Sequence, residues 1–233
     1  MCRSSICLWK CNSSQSGSGD KDIKADKKLS REVADCFKRF DDKYDELLIK
    51  ADIAKHVDID EDSFNMENSS YGSCAYQWNS NRPDLKLEMF GQTIKGRDRN
   101  RVEIKRLSFY TDVDLEIYSQ DTATDLFDRS YKKLSQQDYD ELLANLKEKY
   151  ADDSDSYEQA KGFLNARLNL IYEPVPNLSD RAYWKWHKDH GIELVVLTGV
   201  VHFTIESKTT AEQQSSLDDA VKFAREVLAK CAL

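Results

Sequence analysis

The sequence predicts an α+β fold in which helices cover an antiparallel sheet, and three observations support this prediction. First, residues 181–205 contain three short runs of β-forming residues joined by turns, which is the pattern of an antiparallel meander. Second, residues 193–197 are apolar at both alternating positions, which indicates a strand covered on both sides. Third, apolar residues at helical spacing over 217–231 predict a helix that covers the sheet. Thr210 is predicted to cap this helix, with Gln213 completing a capping box.

Sequence patterns in the first half of the chain predict two helices followed by strands. An apolar stripe at helical spacing from Val33 to Leu48 predicts the first helix. Later runs are rich in aromatic and β-branched residues and alternate with polar ones, as strands do. The elements predicted after the first helix are a short helix near 50–56 and strands at 71–78, 85–94 and 101–110.

Residues from about 121 to 168 change from strand-like to helical periodicity. Two helices are predicted there, over 135–150 and 156–168. Leu142 and Phe163 belong to the apolar stripes of these helices, so both are expected to face inward. The segment is interpreted as a helical insertion in one domain.

The predicted domain spans residues 30–233, and residues 1–29 are predicted to form a disordered leader or tether. Cys11 follows a short apolar patch and precedes a spacer rich in Ser, Gly and Asn. This arrangement is typical of a lipidated cysteine, a flexible tether and a folded domain. The apolar patch is short for a signal core, and Lys10 stands where that signal prefers a small residue. Lipidation at Cys11 and a simple disordered leader therefore both stay open.

Composition limits the classes of partner. The chain has 233 residues, of which 40% are hydrophobic, so it can bury a substantial core. Its net charge is −8 and its pI is about 5.1, which argues against nucleic-acid binding and against an anionic membrane surface. Membrane attachment is expected only through a lipid at Cys11, because no stretch approaches the roughly 20 apolar residues of a membrane span.

The chain has six cysteines, and none of them form a C-x-x-C pair, which excludes zinc-ribbon and thioredoxin-like motifs. Cys231 lies on the apolar stripe of the last helix and is expected to be a small buried hydrophobe. Cys36 and Cys74 lie at the ends of structural elements. They would either form a disulfide between the first helix and a strand or remain two free core thiols.

Motifs of familiar catalytic machinery are absent from the sequence, so no catalytic residue and no cofactor are predicted. The cluster with ligand-like side chains is His187, Asp189 and His190, which could bind Zn²⁺ or Cu²⁺ weakly. The alternative is a hydrophilic turn between two strands. His202 alternates with apolar residues, which favours a histidine of the sheet. The aromatic residues could line a binding face or fill the core: Tyr76, Trp78, Tyr183, Trp184 and Trp186.

Two sets of residues match local patterns of a known family. The first set is Cys36, Leu47, Leu48, Lys50, Asp52, Ile53, Ala54, Gly72, Cys74, Tyr76 and Trp78. The second set is Asp180, Ala182, Tyr183, Trp184, Leu194, Val196, Leu197, Gly199, Phe203 and Ile205, with Ser179 where the family has glycine. In these residues the chain resembles small extracytoplasmic bacterial lipoproteins of uncharacterised function.

The resemblance implies a PsbP/Mog1-like α/β/α sandwich, with helices on both faces of the antiparallel sheet and the helical middle as an insertion. It also favours a bridge between Cys36 and Cys74. A fold does not fix an activity. The expected role is a non-catalytic domain of the bacterial cell envelope, in the periplasm or lipid-anchored at the outer membrane. It would bind another protein or support an envelope assembly.

Two alternative functions remain open on the sequence. The first is a small-molecule or metal-binding, enzyme-like domain that uses the turn from His187 to His190. The second is a cytoplasmic interaction or immunity-type protein, whose acidity would suit a basic partner.

Overall fold

The computed structural model describes five segments of the chain, namely 31–70, 72–89, 92–111, 122–187 and 190–232. Three predicted features lie outside these residues. They are the leader over 1–29, the lipidation site Cys11 and the predicted metal ligand Asp189.

Nine strands are present in the described segments. In chain order they are β1 (Asn65–Ser69), β2 (Ser73–Asn79), β3 (Leu85–Met89), β4 (Gln92–Gly96), β5 (Arg99–Phe109), β6 (Glu173–Pro174), β7 (Arg181–His187), β8 (Gly191–Thr198) and β9 (Val201–Lys208). Seven of them form one sheet in the order β1-β2-β5-β9-β8-β7-β6, and every neighbouring pair is antiparallel. The predicted antiparallel sheet and its β7-β8-β9 meander are therefore confirmed.

Along the chain, helices come before the first strand, between β5 and β6, and after the last strand. They are α1 (31–38), α2 (Tyr44–Leu47), α3 (Lys50–Ala54), α4 (Ala123–Tyr131), α5 (Gln136–Lys149), α6 (Ser154–Leu168) and α7 (Gln213–Ala229). The described segments thus have the predicted mixed α+β composition, with α4, α5 and α6 between β5 and β6.

Side chains cap three of these helices. Thr122, Ser135 and Asp153 each accept a hydrogen bond from the backbone N–H three residues on, which satisfies a donor that the first turn leaves free. The capping box predicted for α7 does not form. Glu212 is the N-cap and makes no side-chain capping bond, and the Thr210 hydroxyl donates to the Glu212 carbonyl.

The apolar stripe from Val33 to Leu48 does not form one helix. Asp42 has a φ of 61°, a left-handed conformation that turns the chain between α1 and α2. The apolar side chains of both helices still face the same core, since Phe37 and Leu47 belong to the same buried cluster. Helical spacing therefore identified the buried side chains but not the break between the helices.

The larger apolar cluster lies on one face of the sheet. Leu194 of β8 and Phe203 of β9 belong to it, together with Phe37 of α1, Ile53 of α3 and Phe223 of α7. Phe37 and Phe203 stack with ring centroids 6.1 Å apart. The first and last helices of the described chain thus cover the same side of the central strands.

A second, smaller cluster involves the alternate residues of the meander. Val195 and Leu197 of β8 and Tyr183 of β7 join Ala123 and Phe127 of α4. The Phe127 and Tyr183 rings are 6.0 Å apart. All but the last residue of β8 are buried, which confirms the prediction of a strand covered on both sides.

Two predictions about the middle of the chain are wrong. The strand predicted over 85–94 is instead the hairpin of β3 and β4, in which Met89 pairs with Gln92 in a separate two-stranded sheet. Alternation of side chains does not show where a strand turns back. On α5 and α6, Leu142 is 37% exposed and Phe163 is 69% exposed, although both were expected inside. These two helices pack mainly on each other, so their apolar stripes are only partly covered.

Candidate functional site

The structure bonds Cys36 to Cys231, which corrects the predicted bridge between Cys36 and Cys74. The Cα atoms of the bonded pair are 5.7 Å apart. Cys74 is a free and fully buried thiol in β2. Burial raises the pKa of the Cys74 thiol, so it stays protonated and unreactive at neutral pH.

The correction has a simple geometric reason. Cys74 lies on β2 within the sheet, while Cys36 lies on α1, outside the sheet. Cys231 is the second residue after α7, which covers the same face of the sheet as α1. The end of α7 meets α1, and the spacing of cysteines along a chain does not reveal which helix ends meet.

The predicted metal-binding turn is only partly described. The rings of His187 and His190 approach with centroids 4.7 Å apart. Within the described residues, no group of three or more His, Cys, Asp and Glu side chains could hold a metal ion. His202 packs against the ring of Phe127, 6.0 Å away, and burial lowers the pKa of His202.

The aromatic residues considered for a binding face mostly fill the core. Tyr76, Trp78, Tyr183 and Trp184 are buried, and Trp186 is half-buried against the larger cluster. The structure therefore supports the interpretation that these aromatic residues fill the core.

Trp78 also lines a polar pocket of about 480 Å³. The pocket lies where the end of β2 and the start of β5 meet the segments that follow α3 and β9. Its wall includes His56 and Asp58 after α3, Asn100 of β5 and Thr209 after β9. The volume is within the roughly 300–1,000 Å³ range of small-molecule sites.

One side of the pocket is fixed by Asp219 of α7. Its carboxylate accepts hydrogen bonds from the Thr209 hydroxyl at 2.8 Å and from the Lys222 ammonium at 2.9 Å. These contacts hold the segment after β9 against α7. Asp219 is 7% exposed, and both of its carboxylate oxygens have partners.

Ion pairs between α3 and α7 fix another side. Lys55 donates to Asp52 and to Glu226, each at 2.8 Å, and His56 contacts Glu226 at 2.9 Å. Hydrogen bonds to Asp52 and Glu226 raise the pKa of Lys55 to about 12. The positive charge at the rim is therefore permanent at neutral pH and already balanced.

Asn100 is held from behind by a buried ionic network. Arg82 donates to Asn100 Oδ1 at 2.7 Å and also to the Asp98 carboxylate. Lys208 contacts the same carboxylate at 3.0 Å. Burial by itself would raise the pKa of Asp98, but the hydrogen bonds from Arg82 and Lys208 bring it below its ordinary value of 3.8.

The indole of Trp78 contains an unpaired donor. Trp78 is 1% exposed, and its Nε1 has no hydrogen-bond partner in the described part of the chain. A buried donor without a partner costs about 1–3 kcal/mol, and few occur in native proteins. Trp78 lines the polar pocket, whereas its N–H is closed to solvent.

An apolar groove of about 390 Å³ lies between the β6 edge of the sheet and α7. Pro174 and Val175 line one side, Leu217 and Val221 line the other, and Trp184 contributes from β7. Its chemistry differs from that of the polar pocket because most of its accessible wall is carbon.

Three glutamates oppose one another across neighbouring strands. Glu206 of β9 pairs with Glu193 of β8 on one side and with Glu103 of β5 on the other, and all three are buried. Like charges in this arrangement would destabilise a sheet unless cations intervene. The cationic partners lie in the pairs Arg101–Glu103, Lys105–Glu206 and Lys185–Glu193.

Hydrogen bonds and neighbouring cations keep two of the carboxyl groups ionised. Burial would raise the pKa of Glu103, but the hydrogen bond and charge of Arg101 bring it below 4.5. The pKa of Glu193 is likewise lowered, because Tyr172 and Lys185 outweigh its burial. Neither group is an acid poised near neutral pH, so the row is best explained as a structural network.

The geometry defines a mixed α+β protein with a polar pocket and an apolar groove, which identifies a class but not an activity. None of the helices in the described segments combines the length and apolarity that crossing a membrane requires. Comparison with protein-family models, curated proteins and solved structures finds no match to the chain.

Sequence reasoning missed the polar pocket. Its wall comes from four separate parts of the chain, near residues 54–58, 78–81, 100 and 209–219. None of these parts contains a recognisable motif. The available signal was an aromatic residue at the end of a strand beside an Asn-rich turn, which occurs in many proteins without a ligand.

Proposed function

We propose that this chain is a non-catalytic, extracytoplasmic binding domain of a bacterial cell envelope. The observation that supports this compartment is the disulfide between Cys36 and Cys231, which closes a sequence separation of 195 residues. Disulfides persist in oxidising compartments and are rare in a reducing cytoplasm. A bond that spans nearly the whole described chain would be lost in such a cytoplasm, together with its stabilisation.

The proposed architecture is the PsbP/Mog1-like α/β/α sandwich implied by the lipoprotein resemblance. Two apolar clusters support it, because alternate residues of β8 belong to different clusters. Phe223 of α7 belongs to the larger cluster and Phe127 of α4 to the smaller one. Membrane attachment through a lipid on Cys11 is part of the same proposal.

The proposed partner is another protein. With a net charge of −8, the chain favours a partner surface of positive charge and disfavours nucleic acid. Binding another protein requires no reaction centre, which agrees with a structural role for the row of buried glutamates.

The test is a thiol analysis of protein purified from its native host. Blocking free thiols under denaturing conditions before reduction should label Cys74 and leave Cys36 and Cys231 protected. Cell fractionation should place the protein in the envelope, and a lipid mass on the Cys11 peptide should disappear in Cys11→Ser. Free thiols at Cys36 and Cys231, with the protein in the cytoplasm, would instead favour the cytoplasmic interaction protein.

A second candidate function is weak metal binding at the turn between β7 and β8. The approach of the His187 and His190 rings to 4.7 Å is the observation that favours it. Two imidazoles supply fewer ligands than a structural or catalytic zinc site requires.

A further inference from the structure

We propose that the apolar groove between the β6 edge and α7 binds an aliphatic monocarboxylate, such as a medium-chain fatty acid, and that Arg225 binds its carboxylate. The proposal goes beyond the function proposed above and does not depend on the compartment or on the protein partner. It depends on the shape of the groove, on an unpaired cation at one end of it, and on a sheet edge that offers no backbone donor.

The groove follows one face of α7. The residues of α7 that line it recur every three or four positions: Gln214, Leu217, Asp218, Val221, Lys222 and Arg225. At a rise of 1.5 Å per residue, this face is about 16 Å long. Leu217 and Val221 supply aliphatic surface between its two ends, and Pro174 and Val175 at the sheet edge line the other side. The groove is therefore long and apolar, and its volume of about 390 Å³ suits a small molecule.

Arg225, at the C-terminal end of this face, is exposed and has no hydrogen-bond or ion-pair partner in the described part of the chain. A helix can supply a partner from three or four positions away. Those positions hold no acidic residue, since they are Val221, Lys222, Leu228 and Ala229. A guanidinium group without a partner binds a carboxylate well, because its two parallel N–H groups match the two carboxylate oxygens.

The carboxylates next to Arg225 in sequence have other partners. Asp219 accepts a hydrogen bond from Lys222 at 2.9 Å, and Glu226 contacts side chains that follow α3. Because Asp219 compensates the charge of Lys222, the uncompensated positive charge among the described residues of the groove wall is that of Arg225. One negative charge would balance it, which favours a carboxylate over a phosphate monoester of about −1.5 to −2.

Asp218 limits the ligand to a single acidic group. It lies seven positions before Arg225, or about 10 Å along the helix, and would repel a second carboxylate. A cationic ligand is the alternative that Asp218 would suit. This carboxylate already accepts a hydrogen bond from the Gln214 amide at 2.9 Å and has Lys222 four positions on, whereas Arg225 has no such neighbour of opposite charge. The anionic ligand is therefore favoured.

The sheet edge disfavours a peptide as the occupant. Pro174 and Pro176 line the groove and carry no backbone N–H. Val175, between them, donates its N–H to the Ala182 carbonyl at 2.9 Å. An added peptide strand would therefore find no backbone donor for its carbonyl groups along this edge. An aliphatic chain has no polar groups that need partners, so it fits the middle of the groove better.

The experiment measures binding of four eight-carbon probes to the full-length protein by isothermal titration calorimetry. The probes are octanoate, octanol, octylamine and octyl phosphate, each below its micelle-forming concentration. We expect octanoate to bind saturably at one site, about tenfold more tightly than octanol, because only octanoate forms the charged hydrogen bonds. Octylamine and octyl phosphate should both bind more weakly than octanoate.

The indole N–H signals of ¹⁵N-labelled protein show where octanoate binds. Trp184 lines the groove and Trp78 lines the polar pocket. Octanoate should move the Trp184 signal, which is assigned by its loss in Trp184→Phe, and leave the Trp78 signal unchanged. Equal changes at both tryptophans would indicate unspecific association of the aliphatic chain.

A matched pair of variants measures the contribution of the cation. Arg225→Gln should lower the affinity for octanoate about tenfold and leave the affinity for octanol unchanged. Arg31→Gln removes an exposed arginine of α1 outside the groove and should change neither affinity. Both side chains are exposed, so both variants are expected to fold.

The proposal is overturned if octanoate does not bind, which is the outcome expected if a protein segment occupies the groove. It is also overturned if octanol, octylamine or octyl phosphate binds as tightly as octanoate, if Trp78 responds as strongly as Trp184, or if Arg225→Gln keeps the affinity of the wild type. None of these results bears on the thiol test of the proposed compartment.

Discussion

Cys36 and Cys231 are 195 residues apart in the chain, yet their Cα atoms lie 5.7 Å apart and their sulphur atoms are bonded. The bond fastens α1 to the end of α7. Beside it, Lys230 contacts Asp52 at 3.0 Å, so α3 is tied to the same end of α7 by an ion pair. Covalent and ionic contacts therefore close the described chain at one place.

Loss of this disulfide should destabilise the protein. Cys36→Ser, or a reductant added to the wild type, should lower the free energy of unfolding by roughly 3–5 kcal/mol, since a long loop is released in the unfolded state. Urea denaturation with and without reductant measures the difference.

Cys74→Ala is the matched control for that measurement. This variant loses a buried thiol but keeps the bridge, so it should remain sensitive to reductant. If Cys74→Ala abolished the effect of reductant while Cys231→Ser did not, the bonded pair would be Cys36 with Cys74.

Glycine substitutions should have opposite effects at two positions. Gly191 has a φ of 82°, and a Cβ there would lie 2.3 Å from the Ser207 carbonyl oxygen. Gly191→Ala should therefore destabilise the protein by at least about 2 kcal/mol. Gly162 lies within α6 with no atom near its would-be Cβ, so Gly162→Ala should stabilise by up to about 1 kcal/mol. Urea denaturation reports both, and effects of the same sign would contradict the geometry.

Acid should weaken the ionic network of Asp98. Because its folded-state pKa lies below the ordinary 3.8, its stabilisation is complete above pH 3.8 and is lost as the pH falls through the lower value. Asp98→Asn leaves Arg82 and Lys208 without their buried counter-charge and should cost about 3 kcal/mol at neutral pH.

The measurement is the free energy of unfolding as a function of pH. The difference between wild type and Asp98→Asn should shrink below pH 3.8. Asp152→Asn, at an exposed carboxylate, is the control and should change stability by less than about 0.5 kcal/mol. A difference that grows on acidification would show that Asp98 is not held in its ionised form.

Metal binding at the β7–β8 turn should be weak. His187 and His190 supply two imidazoles, whereas tight zinc sites use three or four protein ligands. Protein dialysed without chelator should therefore retain no stoichiometric zinc or copper by elemental analysis. One equivalent of metal that disappears in His187→Ala/His190→Ala but stays in His56→Ala would contradict this expectation.

Local patterns in the sequence determined much of the sheet. The meander of β7, β8 and β9 and the helix α7 were predictable because alternation and helical spacing depend on residues close together in the chain. The double-sided burial of β8 followed from its unbroken apolar run for the same reason. The turn at Asp42 and the hairpin of β3 and β4 were not predictable, since a periodic pattern continues across a reversal of the chain.

The candidate site was decided by tertiary structure. Trp78 could be recognised as a buried aromatic residue, but the pocket beside it depends on how Asn100, Thr209 and Asp219 approach from distant parts of the chain. The partner of Cys36 was decided in the same way, by the meeting of α1 with the end of α7. Sequence periodicity identified the buried side chains of β8 and α7, whereas packing between distant segments determined which of them meet and left Leu142 and Phe163 exposed.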